Sequence, residues 1–114
     1  MTAGRRALGA RGELLTARWY EARGYEVLAR NWRCREGELD LVLRGDGAVV
    51  FCEVKTRSSM SFGAPAEAVT RQKQARVRRL AVAWLRASGV RAGSVRFDVA
   101  AVMGRDVQVV ENAF

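Results

Sequence analysis

Asp40, Glu53 and Lys55 are the residues of this chain whose types and spacing best suit them to chemistry. Asp40 lies in the alternating segment GELDLVLR (37–44), the other two in the apolar segment AVVFCEVKT (48–56), and Gly45-Asp46-Gly47 between them is a turn signal. With Asp46 and Gly47 as the central residues of a two-residue hairpin loop, Gly45 opposes Ala48. The same register sets Asp40 opposite Glu53 and Glu38 opposite Lys55, four polar side chains on one face of an otherwise apolar sheet. Two opposed carboxylates repel by roughly 0.2–1 kcal/mol when exposed and by more when buried. A divalent cation offsets that repulsion: magnesium accepts one or two carboxylates, keeps several waters and bridges to phosphate oxygens. Lys55 beside it would position or deprotonate an attacking water or stabilise developing charge, and the backbone carbonyl of Val54 offers a further oxygen ligand. The chemistry implied is phosphodiester hydrolysis assisted by Mg2+ or Mn2+. The same residues also fit a solvated hairpin face carrying Glu38–Lys55 and Asp40–Lys55 ion pairs, which are common and weak, and a longer turn would change the pairing. The apolar run 48–56 argues for a central strand, where Glu and Lys would be out of place in plain solvent.

Composition narrows the alternatives. The chain has no histidine, so Ser-His-Asp and Cys-His nucleophilic schemes are excluded, and acid–base work falls to carboxylates, lysine, tyrosine or metal-bound water. Two cysteines without histidine do not make an ordinary zinc site. Cys52 lies in an apolar run and reads as a small hydrophobe, not as half of a disulfide with Cys34. The formal net charge of +8 favours polyanionic partners, nucleic acid or an anionic membrane surface, although a basic domain without a specific partner has the same balance. No run of 18 apolar residues is present, and the paired arginines near the N-terminus are not followed by the apolar stretch of a signal peptide, so a cytoplasmic protein with no membrane partner is expected.

The elements that must position these residues follow from periodicity. A length of 114 residues, 49% of them hydrophobic, fits one domain with one core. A first helix is expected over 5–23, with Leu8, Leu15, Trp19 and Ala22 on one face and Gly24 as its stop. Strands follow at 25–33, 37–44 and 48–56, with Leu39, Leu41 and Leu43 on one face of the second and Glu38, Asp40 and Val42 on the other. Residues 57–69 read as a loop. A second helix runs from a Thr70 cap to about Ser88, with Val77, Leu80, Ala81 and Trp84 inward and Gly89 at its end. Strands at 95–103 and 107–111 complete the order αβββαββ. The first three strands can form a meander and the second helix a crossover to a parallel fourth, giving an α/β fold with a mixed sheet flanked by helices.

Other charged residues are supporting candidates. Glu38 is placed to orient Lys55 or to serve as a plain ion-pair partner. Asp98, between Phe97 and Val99 in a strand, needs a partner if buried; an internal ion pair with an arginine suits it better than a role buttressing the site. Arg57 could grip a phosphate through its forked donors. Arg71, Lys73, Arg76, Arg78, Arg79 and Arg86 give the second helix a basic surface suited either to a nucleic-acid backbone or simply to water. Trp32, beside Arg30, Arg33 and Arg35, is the tryptophan to test for base stacking; Trp19 and Trp84 read as core.

Asp40 followed on the next strand by Glu53-Val54-Lys55 resembles the D…(D/E)-x-K signature of the restriction-endonuclease-like nucleases, and the element order resembles their core. More specifically, the chain resembles the YraN family of bacterial proteins. The matching pieces are Gly9-Ala10-Arg11-Gly12-Glu13, Gly37-Glu38-Leu39-Asp40-Leu41-Val42, Val50 to Arg57, Phe62-Gly63, Lys73 and Arg96-Phe97-Asp98-Val99. Leu39 stands where the superfamily's nominal motif has a proline, a position that varies among such nucleases. The resemblance implies a fold similar to archaeal Holliday-junction resolvases, with Asp40 and Glu53 as metal ligands, Lys55 as the catalytic lysine and Glu13 of the first helix as a further acidic contributor. Related resolvases work as dimers, so a homodimer is an expectation, although the sequence offers no clear apolar seam. Two functions compete: a metal-dependent endonuclease acting on structured or branched DNA, and a non-catalytic module of the same fold that holds DNA or RNA beside DNA-processing partners. A third, weaker reading is an interaction protein whose charged square is only an ion-pair network.

Overall fold

Asp46 and Gly47 both have positive φ (52° and 75°), as a type I′ hairpin turn requires at its two central residues. Gly45 therefore pairs with Ala48, and the ladder runs from there to Leu41–Cys52, in the register expected from the turn. The structure, a computed structural model, describes residues 3–57 and 69–114. The expected loop, apart from its two end residues, and the Phe62-Gly63 pair lie outside the described residues. The element order is α1 (Ala3–Glu21), β1 (Glu26–Cys34), β2 (Gly37–Gly45), β3 (Ala48–Arg57), α2 (Arg71–Ser88), β4 (Val95–Met103) and β5 (Asp106–Val110). The five strands form one sheet in the order β1-β2-β3-β4-β5. All neighbours are antiparallel except β3 and β4, which run parallel and are joined through α2. The fold is α/β, a mixed sheet between two helices.

Sequence-local chemistry sets the limits of α2. Thr70 is extended (φ −68°, ψ 163°) and accepts a hydrogen bond from the Lys73 N–H, while Gly89 closes the helix in the left-handed conformation, its N–H donating to the Leu85 carbonyl. Val77, Leu80, Ala81 and Trp84 are the helix's buried residues, as its period requires. They pack on Leu39, Val42, Val49, Phe51 and Phe97 of the sheet.

The opposite face is covered by α1, but not by the side chains its apolar spacing suggests. Gly12, Thr16, Ala17 and Tyr20 face inward; Leu15 and Trp19 are half-buried and Ala22 is exposed, while the side chain of Leu8 lies outside the described residues. Close approach explains the choice. A Cβ at Gly12 would overlap the Oγ1 of Thr56 on β3, so only glycine lets the helix backbone come this near. Eight residues further on, the buried Tyr20 hydroxyl donates to Asp98 Oδ2 of β4 at 2.6 Å. The helix is thus fastened to two adjacent strands, and the residues that fasten it are small or polar.

Strand β2 also departs from simple alternation. Leu41 and Leu43 pack beneath α1, whereas Leu39 joins the cluster beneath α2. The expectation that these three leucines share a face is therefore corrected. The neighbouring strand is irregular at the same level: between the pairs Arg30–Leu41 and Trp32–Leu39, Asn31 has a φ of 48°, which turns the backbone out of the pleat. The change of face falls at Asp40.

Asp98 is fully buried and well partnered. It accepts from Arg96 Nε and Nη2 at 2.9 and 3.0 Å, from Tyr20, and from the Asn112 N–H at 2.9 Å. This is the internal arginine pair expected for it, on the α1 side of the sheet. Both cysteines are free thiols, with Cys52 in the core. Among the described residues, no helix is long and apolar enough to cross a membrane.

Candidate active site

Beyond Leu41–Cys52 the β2–β3 ladder ends, and a carboxylate takes over the role of a backbone acceptor: Asp40 Oδ2 receives the Val54 N–H at 2.8 Å. A cleft of about 330 Å³ opens here, lined by Gly37, Glu38, Asp40, Glu53, Val54, Lys55, Lys73, Arg76, Val77 and Leu80. The ladder thus stops one step short of the expected Asp40–Glu53 pairing and three short of Glu38–Lys55. The two acids nevertheless meet, the carboxyl of Glu53 lying within hydrogen-bonding reach of Asp40.

Glu53 follows Cys52 on β3, so it points to the α2 side, and it is only 4% exposed. Burial and then the negative charge of Asp40 push its pKa up from 4.5 to about 7, against the opposing pull of Lys73 and Lys55. Glu53 therefore holds its proton to higher pH than an ordinary carboxyl does. The Lys73 ammonium is 3.7 Å from Glu53 Oε1. Lys55 is half-buried two residues along the same strand. Burial and then contact with Lys73 pull its pKa below the usual lysine value, with Glu53 and Asp40 opposing.

Glu13 enters from the other layer. The Gly12 contact with Thr56 carries this part of α1 down onto β3. The Glu13 carboxyl is raised to about 7 by burial and then by the charges of Asp40 and Glu38, with a hydrogen bond from Asn31 opposing. Its Oε2 is buried and makes no hydrogen bond, an orphan acceptor beside two other acids. Glu38 pairs with Arg33 across β1–β2, at 3.5 Å, and not with Lys55.

The structure brings Glu38, Asp40, Glu53 and Lys55 to one cleft, sets Glu13 near Asp40 and Glu38 but outside the cleft lining, and leaves Asp98 in its own network. Arg57 is half-buried at the end of β3, and Arg35 is exposed at the β1–β2 turn. Arg76 is exposed and lines the cleft. Trp32 is half-buried at the margin of the core, Trp84 lies within it, and Trp19 is covered by the Arg23 guanidinium at 3.6 Å. Lys73, expected on the basic surface of the second helix, lines the cleft and pairs with Glu53. A signal for it existed: of 20 Lys and Arg residues only Lys55 and Lys73 are lysines, and these two are in contact.

Among the described residues no three His, Cys, Asp or Glu side chains are disposed as a ready-made metal cage. Magnesium does not need one, since it binds through one or two carboxylates and retains water. The donor set of Asp40, Glu53 and the Val54 carbonyl fits that requirement. Two carboxyls pushed up to about 7 and one orphaned carboxyl oxygen are the features that a cation would relieve.

The pattern of the Uncharacterised protein family UPF0102 matches residues 12–102. A UPF0102 protein of Beutenbergia cavernae is 59% identical over 97 residues, covering 85% of this chain and 82% of the relative. One from Frankia alni is 57% identical over 96 residues (84% and 80%), and one from Rhodococcus jostii 55% over 97 residues (85% and 82%). These names assign no activity. The match covers β1 to β4 with α2 and the part of α1 that carries Gly12 and Glu13, and on it the chain belongs to family UPF0102, the YraN family that its joined motifs resemble.

Proposed function

We propose that this protein is a metal-dependent endonuclease that hydrolyses phosphodiester bonds in structured or branched DNA. The observation that carries this reading is Glu53: a carboxyl only 4% exposed, beside a second acid, at the floor of a cleft that also holds two lysines. Like charges held together out of water are costly unless a cation joins them. Asp40, Glu53 and the Val54 carbonyl would hold magnesium or manganese, which would supply an activated water and charge neutralisation at the scissile phosphate. Asp40 has a second duty, since its bond to the Val54 N–H fixes the β3 backbone that carries Glu53 and Lys55. Lys55, with its affinity for a proton lowered, can exchange one at Nζ beside the attacking water or hold charge developing on phosphate. Glu13 orients water from the α1 side through its unpartnered oxygen. Arg76 at the rim and Arg35 nearby would meet the nucleic-acid backbone, with Arg57 at the end of β3.

A second reading, a module that binds nucleic acid without cutting it, draws on Lys73, which already gives Glu53 a cation. The two separate in one experiment: labelled DNA and RNA structures are incubated with and without manganese, using wild type, Asp40→Ala and Glu53→Ala. The nuclease reading expects metal-dependent cleavage of branched DNA that both substitutions abolish while binding persists. Binding without cleavage by the wild type favours the second reading. Cleavage that survives in the double variant rejects the assigned site.

A further inference from the structure

The cleft lining carries three carboxylates, Glu38, Asp40 and Glu53, against three cations, Lys55, Lys73 and Arg76. With Glu13 beside Asp40 and Glu38, the carboxyls outnumber these cations by one. A divalent cation added to this set leaves an excess of positive charge that only an incoming anion can match. Of the three cations, Lys73 is the one ion-paired to the buried acid, at 3.7 Å and with a third of its side chain exposed. It stands on the first turn of α2, where Thr70 accepts its backbone N–H, so its backbone is fixed while its four-carbon stem can swing. A lysine ammonium is a compact point charge on a flexible stem, whereas an arginine clamps a carboxylate with a planar fork. In a chain with 18 arginines among its 20 Lys and Arg residues, this position holds a lysine.

We propose that Lys73 is a displaceable counterion: it holds Glu53 in the free protein, competes with the divalent cation for that carboxylate, and yields it when drawn onto a phosphate of the nucleic acid. Metal and nucleic acid then bind cooperatively, each raising the affinity of the other by the same factor. Lys73 is on this account a positioning residue that acts through Glu53. The inference rests on the metal-dependent reading of the site given above.

The test is calorimetric titration of Mg2+ into wild type, Lys73→Met and Lys73→Arg at mildly alkaline pH. Each protein is titrated alone and premixed with a phosphorothioate-linked DNA oligonucleotide that resists hydrolysis. Lys73→Met alone should bind Mg2+ tighter than wild type by about fivefold or more, the low end of coupling between linked sites. Lys73→Arg should bind it more weakly, because its fork holds the acid. The oligonucleotide should tighten Mg2+ binding to wild type and leave Lys73→Met nearly unchanged. Lys73→Gln repeats the comparison if Lys73→Met proves too unstable to titrate. Equal or weaker Mg2+ binding by the neutral variants, or an oligonucleotide effect that persists in them, overturns the inference and leaves the nuclease reading standing. Absence of Mg2+ binding in every protein, wild type included, removes the metal-dependent reading and this inference with it.

Discussion

Replacing Glu53 by Gln should make the metal-free protein more stable at mildly alkaline pH, the reverse of what breaking a buried ion pair normally does. The native carboxyl has its pKa raised from 4.5 to about 7, so between these two pH values the unfolded chain has lost a proton that the folded chain still holds. Stability contributed at this position is therefore full below about pH 4.5 and falls as pH rises to about 7, beyond which the loss is constant. A pKa displacement of that size corresponds to roughly 3 kcal/mol. Lys73 loses its partner in the variant, but it is partly exposed and water can take over, so a net gain of about 1–3 kcal/mol is expected. Urea unfolding in EDTA at about pH 4 and about pH 8 measures this directly, with the two proteins close at the acid value and the variant ahead at the alkaline one. Adding Mg2+ should narrow the gap, since a ligand of the folded state stabilises only the protein that binds it. A Glu53→Gln protein less stable than wild type at about pH 8 in EDTA would mean that Lys73 alone satisfies the acid, and the argument that the site calls for a further cation would fail.

Three other outcomes are expected. Gly12→Val should destabilise by about 1–3 kcal/mol, since the new side chain meets Thr56, and on the proposed nuclease reading it should also depress cleavage by lifting Glu13; chemical denaturation and a cleavage assay on the refolded protein check both. Asp98→Ala, which takes the nearest carboxylate from the Arg96 guanidinium, leaving it Asp46, Glu111 and the Tyr25 hydroxyl, and frees the Tyr20 hydroxyl, should cost about 1–3 kcal/mol in thermal or urea unfolding while Mg2+ affinity of the folded protein is unchanged. Arg76→Ala should weaken nucleic-acid binding without sequence preference and reduce the slope of log affinity against log salt by about one, read by fluorescence anisotropy over a salt series.

How far the sequence could be read depended on how local the determining physics was. The hairpin register followed from Asp46-Gly47 alone, because the turn type leaves one pairing. The inward face of α2 followed from its period, and its start from one threonine side chain. The meeting of Asp40 with Glu53 followed from that register, although the ladder itself ends at Leu41–Cys52. What escaped reading was settled between distant segments. Gly12 and Tyr20 turn inward because of Thr56 and Asp98, more than 40 residues away, so apolar spacing within α1 carried no trace of it. Leu39 changes face at the irregularity beside Asn31, and Glu38 turns to Arg33. Lys73 reaches the site only because packing of α2 on the sheet sets its first turn beside Glu53. Its sequence neighbours Arg71, Gln72, Gln74 and Arg76, bases and amides, gave it the look of ordinary surface charge.

The two attachments of α1, at Gly12 to β3 and at Tyr20 to β4, act as the fixed points of a rigid rod. Glu13 sits just past the first, about 10 Å along the axis from the second. Rotation of the rod about its axis would turn both residues through the same angle, so the tyrosine bond resists any swing of the glutamate. The aim of Glu13 toward Asp40 and Glu38 is thus governed partly from the remote end of the helix, and wear at Tyr20 would surface as misalignment about two turns away.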